Sequence, residues 1–193
     1  MTGMHISADD RVRLHAATQA AEARTHARFA LATIHVSDRY ALYPLVYGAV
    51  IGLAVMGALA IFWPEISLRT GFFASATAFV ILSLLFDWLP LRLLLVPKRV
   101  KHRHAHDFAH REFAARILAQ ADRKPGLVVF VSLGERYIEL VADRAIHQQV
   151  PQTTWDAIVA DFTDAARKGR VADGLIAGIE ACAKVLETHY PAK

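Results

Sequence analysis

Four histidines crowd one short stretch, at His102, His104, His106 and His110. On a helix His102, His106 and His110, spaced by four, share one face. Two imidazoles one turn apart can reach the same zinc ion, and Asp107 and Glu112 stand close enough in sequence to orient the rings. The same stretch also carries Lys98, Arg99, Lys101, Arg103 and Arg111. Read that way, it is a basic face that lies against lipid headgroups and gains charge in mild acid. No other stretch supplies a clear carboxylate or thiolate ligand, so the basic face is favoured. His102, His106 and His110 are retained as candidate ligands for a divalent cation such as zinc, or as a pH-sensing group.

Other chemistries leave no trace. The chain has no nucleophile elbow, P-loop, HExxH or CxxC motif. Ser132 falls in an apolar run and reads as packing. Cys182 is the single cysteine, which excludes an internal disulfide and suits a reducing compartment. The formal net charge of +4 makes no case for nucleic acid.

The elements that must position the histidines begin with two charge-free blocks, Leu42–Trp63 and Gly71–Phe86, joined by Pro64–Thr70. About 20 apolar residues cross a hydrocarbon layer of roughly 30 Å. The first block meets that length. The second meets it only by continuing through Asp87 and Trp88 toward Pro90. The pair reads as a transmembrane helical hairpin, because charge-free runs of this length are rare in soluble cores. The first apolar run starts near residue 42, behind a polar helix, which is not the pattern of a signal peptide.

Arg24, Arg28 and Arg39 precede the hairpin, and Lys98, Arg99, Lys101 and Arg103 follow it. The connector holds only Arg69, opposed by Glu65. By the positive-inside rule both termini are cytoplasmic, in a multi-pass protein of the inner membrane. Tyr40, Tyr43, Tyr47, Trp63 and Trp88 sit where interfacial aromatics belong. Gly48 and Gly52 have GxxxG spacing, and Ala74 and Ala78 offer a small face on the second helix. These faces are expected to meet within the hairpin, with a homo-oligomer as the rival use. Asp87, near Trp88, Pro90 and Arg92, marks the return to the interface.

The flanking sequence reads as a soluble domain. Residues 1–6 are expected to fray. Ser7 caps a helix running to about Thr25, with Asp10 in capping-box position and a small-residue stripe at Val12, Ala16, Ala20 and Ala23. Phe29–Val36 is a strand. Val100–Asp122 is helical, with Ala105, Phe108, Ala109, Ala115 and Leu118 apolar between charges. Leu127–Leu133 reads as a strand buried on both faces. Gly134-Glu135 turn it into the alternating strand Arg136–Ala142. Ile146–Val150 is a short turn. Helices follow over Trp155–Lys168 and Val171–His189, the second with Leu175, Ile179, Cys182 and Leu186 on one stripe. The implied fold class is α/β. Residues 1–40 and 98–193 form one cytoplasmic domain, and residues 41–97 form the hairpin inserted into it. The early strand must then pair with the late ones.

The run Pro125–Val150 (PGLVVFVSLGERYIELVADRAIHQQV), with Trp155, Gly174-Leu175-Ile176 and His189-Tyr190-Pro191, resembles the TPM-domain family over roughly residues 6–36 and 100–191. The resemblance implies an α/β/α sandwich. In some members it implies divalent cations such as calcium and a weak phosphatase activity. Asp143 matches the family's aspartate after the third strand and is the candidate metal residue on that basis. The family's Thr-x-Ala-Glu stretch reads Thr25-His26-Ala27-Arg28 here, with Arg28 in place of the acid. One carboxylate is a poor calcium site, since about six to eight oxygens are typical.

These observations lead to a small membrane protein with a TPM-like domain. Its role is expected to be non-catalytic, an interaction or assembly module contacting the lipid bilayer and another membrane protein. A weak metal-dependent phosphatase using Asp143, and a metal-binding or pH-sensing protein using the histidine face, are the alternatives.

Overall fold

In the computed structural model of the chain, residues 6–122 and 124–192 are described. The elements run α1 (Ala8–Ala23), β1 (Arg28–Ile34), α2 (Leu42–Phe62), α3 (Leu68–Phe86), α4 (Leu89–Leu95), α5 (Lys98–Phe113), β2 (Gly126–Ser132), β3 (Tyr137–Ala142), α6 (Arg144–Gln149), α7 (Gln152–Arg167) and α8 (Val171–His189). The fold is mixed and helix-rich, with one small three-stranded sheet. The chain divides into two compact units. One ends at Ser37 and resumes at His102, and the other is Asp38–Lys101.

In the first unit the sheet order is β1-β2-β3. β1 runs parallel to β2, with Arg28 opposite Gly126 and Ile34 opposite Ser132. The early strand therefore does pair with a late one, although residues 38–101 intervene in sequence. β2 pairs antiparallel with β3 from Leu127–Ala142 to Ser132–Tyr137. Every position of β2 is buried. Its side chains alternate between two cores. Leu127, Val129 and Val131 join a cluster with Leu14 and Ala21 of α1, Trp155 and Phe162 of α7, and the α8 stripe. Val128 and Phe130 join a second cluster with Ala105, Ala109 and Phe113 of α5. A strand covered by helices on both faces has no polar side, which is why its sequence is continuously apolar.

The expected stripe on α8 is present: Leu175, Ile179, Cys182 and Leu186 are each at most 1% exposed. Each such aliphatic side chain contributes about 1.5–3 kcal/mol by leaving water. On α1 the Ser7–Asp10 capping box forms in both directions, but the stripe is a different one. Val12, Ala16, Ala20 and Ala23 are exposed, and Leu14 and Ala21 are buried. Leu14 carries the larger apolar area on that helix and sets the inward face, with Ala21 two turns on. The fraying expected for residues 1–6 lies outside the described residues, except at Ile6, which is buried in the core.

The helix at Val100–Asp122 is also rearranged. It starts at Lys98 and widens into a π turn at Ala114–Leu118. The phase of the last turn changes there, so Ile117 points inward and Leu118 stays 63% exposed. Ile117 lies against Gly126, where any Cβ would overlap its side chain. Only glycine permits that approach at the start of β2.

The second unit holds two helices long and apolar enough to cross a membrane, of 21 and 19 residues. α3 gains its length at the front rather than the back. It begins at Leu68, capped by the Ser67 hydroxyl, which accepts from Thr70 N–H at 3.2 Å, and it ends at Phe86. Asp87 terminates it. Arg92 on α4 donates to both the Asp87 carboxylate and the Asp87 carbonyl, each at 2.6 Å. The two helices pack on one another through the glycines. A Cβ at Gly48 would sit 2.5 Å from Ser83 Oγ, and one at Gly52 would sit 3.2 Å from the Ser75 carbonyl. The nearest opposing residues are thus Ser75, Phe79 and Ser83; of the expected small face, Ala74 turns outward and Ala78 is half-buried.

Candidate functional site

The candidate site lies where α5 crosses the outer strand of the sheet. In an antiparallel pair, opposed residues project to the same face. Glu139 opposes Phe130, and Tyr137 opposes Ser132. Phe130 belongs to the α5-side core, so Glu139 and Tyr137 also project toward α5. There Glu139 meets two of the sequence-predicted histidines.

His106 Nδ1 lies 2.8 Å from Glu139 Oε1, and His110 Nε2 lies 3.6 Å from the same oxygen. The two imidazole rings are 4.3 Å apart, edge to face. All three ligating atoms fall within 4.8 Å of one another. The other carboxylate oxygen, Glu139 Oε2, accepts a hydrogen bond from the Tyr137 hydroxyl at 2.9 Å. Burial and the adjacent Glu139 carboxylate push the Tyr137 phenol well above its ordinary pKa, so it stays a donor at neutral pH. His106 and His110 are half exposed, and the Glu139 side chain is 20% exposed.

The remaining candidates lie elsewhere. His102, one turn before His106, stacks beside the Tyr137 ring at 5.2 Å and is not among the three. Glu112 is engaged with Arg116 at 2.6 Å, and neither it nor Asp107 joins the histidines. Asp143 is the N-cap of α6, its carboxylate accepting from Ala145 N–H at 3.1 Å. Arg28, where the family acid would stand, is paired with Asp122 at 2.6 Å. Among the described residues, His106, His110 and Glu139 form the one group of three or more His, Cys, Asp or Glu side chains within reach of a common ion. Among the described residues Asp143 belongs to no such group; its carboxylate is engaged at the start of α6.

Glu139 was the residue that sequence reasoning missed. The alternation of Arg136–Ala142 puts Tyr137, Glu139 and Val141 on one face, but nothing local says which helix covers that face.

A groove of about 460 Å³ begins at this cluster. It follows β3 along Ile138–Ala142, between His110 on one side and His147, Gln152, Trp155, Asp156 and Val159 on the other. β3 is an edge strand. Asp143 N–H bonds the Gly126 carbonyl at 2.8 Å, and hydrogen-bonded pairs alternate along an antiparallel ladder. Tyr137, Glu139 and Val141 thus share the inward register with Asp143. Ile138, Leu140 and Ala142 direct their N–H and C=O groups to the open edge. Trp155 is 2% exposed, and its indole N–H is buried without a hydrogen-bond partner among the described residues.

Comparison with known proteins agrees with this architecture. BA42 from the psychrophilic bacterium Bizionia argentinensis, solved by NMR, superposes with a TM-score of 0.57 over 97% of this chain and 86% of that one. At 14% identity the likeness is one of fold. None of the curated proteins compared matches the sequence. A sequence profile of the TPM domain matches residues 90–185, from α4 through most of α8, and so takes in the histidine helix, β2, β3 and the groove. Through these residues the chain belongs to the TPM-domain family.

Proposed function

We propose that the protein is a membrane-tethered, non-catalytic interaction module. In this reading α2 and α3 form a hairpin across the inner membrane, with both termini cytoplasmic. The hairpin is inserted in sequence into an α/β/α sandwich, which it tethers to the membrane. The exposure of the apolar side chains along α2 and α3 supports this, because large exposed apolar surface needs a nonaqueous cover. The Lys and Arg residues flanking the two helices support the orientation.

The observation that carries the interaction role is the open edge of β3. Its outward N–H and C=O groups recur at every second residue, a pattern that only an extended chain can match. Trp155 also lines the groove, and its buried indole N–H lacks a hydrogen-bond partner among the described residues, so an occupant that reaches it would supply the missing acceptor. The occupant proposed is an extended segment of another membrane protein near the cytoplasmic surface.

The test is co-purification from detergent-solubilised membranes, comparing the wild type with Leu140→Pro and with Trp155→Phe. Proline removes the outward N–H, and phenylalanine removes the indole donor while keeping an aromatic ring. The reading expects one membrane protein to be retained by the wild type and lost with both variants. It also expects amide exchange at Ile138, Leu140 and Ala142 to slow in the complex. Equal retention by all three proteins would overturn it, as would a chain that stays in the aqueous phase on membrane flotation.

A further inference from the structure

We propose that His106, His110 and Glu139 form a binding site for a divalent transition-metal ion of the zinc class, with one coordination position open to the groove. The donor set is two imidazoles and one carboxylate, the combination of open rather than closed zinc sites. Softer or harder ions fit less well, since copper(I) favours sulfur and calcium favours many oxygens.

The geometry is close to that required. Ligand bonds of about 2.0–2.1 Å in a tetrahedral site place neighbouring donors about 3.3 Å apart. The observed separations are 2.8 Å for His106 Nδ1–Glu139 Oε1 and 3.6 Å for His110 Nε2–Glu139 Oε1. One opens and the other closes by less than an ångström, and the two ring nitrogens, within 4.8 Å of each other, close the set by turning half-exposed rings on one helix face. Metal entry replaces the His106–Glu139 hydrogen bond.

The surroundings are those of a prepared ligand. The Tyr137 hydroxyl holds Glu139 Oε2 at 2.9 Å and leaves Oε1 aimed at the two rings. Outer hydrogen bonds of this kind fix ligand orientation, and losing one typically weakens binding about 10–100-fold. β3 fixes the carboxylate and α5 fixes the imidazoles, so both sides of the site rest on regular structure rather than on a loop. Both His110 and Glu139 line the groove, and the fourth position is assigned to that side. A water molecule or an anionic group from a groove occupant would complete the coordination.

The experiment is zinc binding to the full-length chain in detergent micelles, stripped of metal and titrated against a chromophoric chelator. The expected result is one high-affinity zinc per chain. His106→Ala, His110→Ala and Glu139→Gln should each raise Kd at least tenfold, and Tyr137→Phe should do so more mildly. His102→Ala should bind as the wild type does and serves as the control for histidine content. Each variant is accompanied by a circular dichroism melt, so that a loss of fold is separated from a loss of ligand. Cobalt(II) provides a second readout: the wild type should show the intense visible bands of a four-coordinate ion, and the His106→Ala/His110→Ala double variant should not. The proposal falls if the wild type binds no more zinc than the double variant, or if folded Glu139→Gln binds unchanged. This outcome is independent of whether a partner occupies the β3 edge, because the probe is the metal alone.

Discussion

Arg24, just past the end of α1, grips Glu180 in the middle of α8 with two parallel hydrogen bonds, Nη1 to Oε1 at 2.9 Å and Nη2 to Oε2 at 2.7 Å. In the sequence Arg24 counts among the basic residues ahead of the apolar blocks. In the structure it ties the first helix to the last, beside a bridge between Thr25 and Pro191.

This ion pair has a defined acid limb. Hydrogen bonding by Arg24 holds the Glu180 carboxyl below its ordinary pKa. A depressed carboxylate contributes stability above the unfolded value, about 4.3, and loses that contribution as pH falls through the folded value. Both side chains are more than a third exposed, so the effect is modest. Arg24→Ala is expected to cost about 0.2–1 kcal/mol at neutral pH. Glu180→Gln should flatten the loss of stability below about pH 4.3, measured by denaturant unfolding across pH.

The glycine contact between α2 and α3 is the next point of test. At Gly52 a Cβ would already lie 3.2 Å from the Ser75 carbonyl, and a branched side chain has no room. Gly52→Val should destabilise the helix pair by about 1–3 kcal/mol, as overpacking typically does. Thermal unfolding in detergent would detect it. Gly57, whose Cβ position meets nothing within 4 Å, is the matched control and should tolerate alanine.

Phe130 is fully buried at the centre of β2, between the α5 helix and the Tyr137 ring. Phe130→Ala should cost about 3–5 kcal/mol. Because Phe130 is the register partner of Glu139, its loss should also loosen the carboxylate. Chemical denaturation reads the first effect, and weaker zinc binding by the folded fraction reads the second.

Cys182 offers a probe of opening. It is fully buried, and burial alone pushes its thiol up to about 12. The thiolate is the reactive species, so the native protein should resist thiol reagents at neutral pH. Labelling should become fast only in denaturant, and in native conditions its rate should follow the opening of α8 from the core. Rapid labelling of the folded chain would place Cys182 at an accessible surface and contradict the packing described.

Much of the fold was readable from local pattern. The charge-free blocks, the Ser7–Asp10 cap, the α8 stripe and the apolar run of β2 follow from periodicity and capping chemistry, which operate within a few residues. Where two patterns competed, local reading failed. On α1 both the alanine stripe and the Leu14–Ala21 line have helical spacing, and only the packing against α8 and β1 decides which is buried. At Leu118 the π turn changed the phase, and no residue in the chain announces such a turn.

The candidate site divides in the same way. The spacing of His106 and His110 put both rings on one helix face by helical geometry alone, and the alternation of Arg136–Ala142 put Glu139 beside Tyr137. Only the tertiary structure decided that these two faces meet, that His102 goes to the Tyr137 ring instead, and that Asp143 serves as a helix cap. The physical reason is range: caps and periodicities act between neighbours in sequence, whereas the His106–Glu139 contact joins residues 33 positions apart and exists only because β3 pairs with β2 in a register that puts Glu139 opposite Phe130, on the face packed against α5.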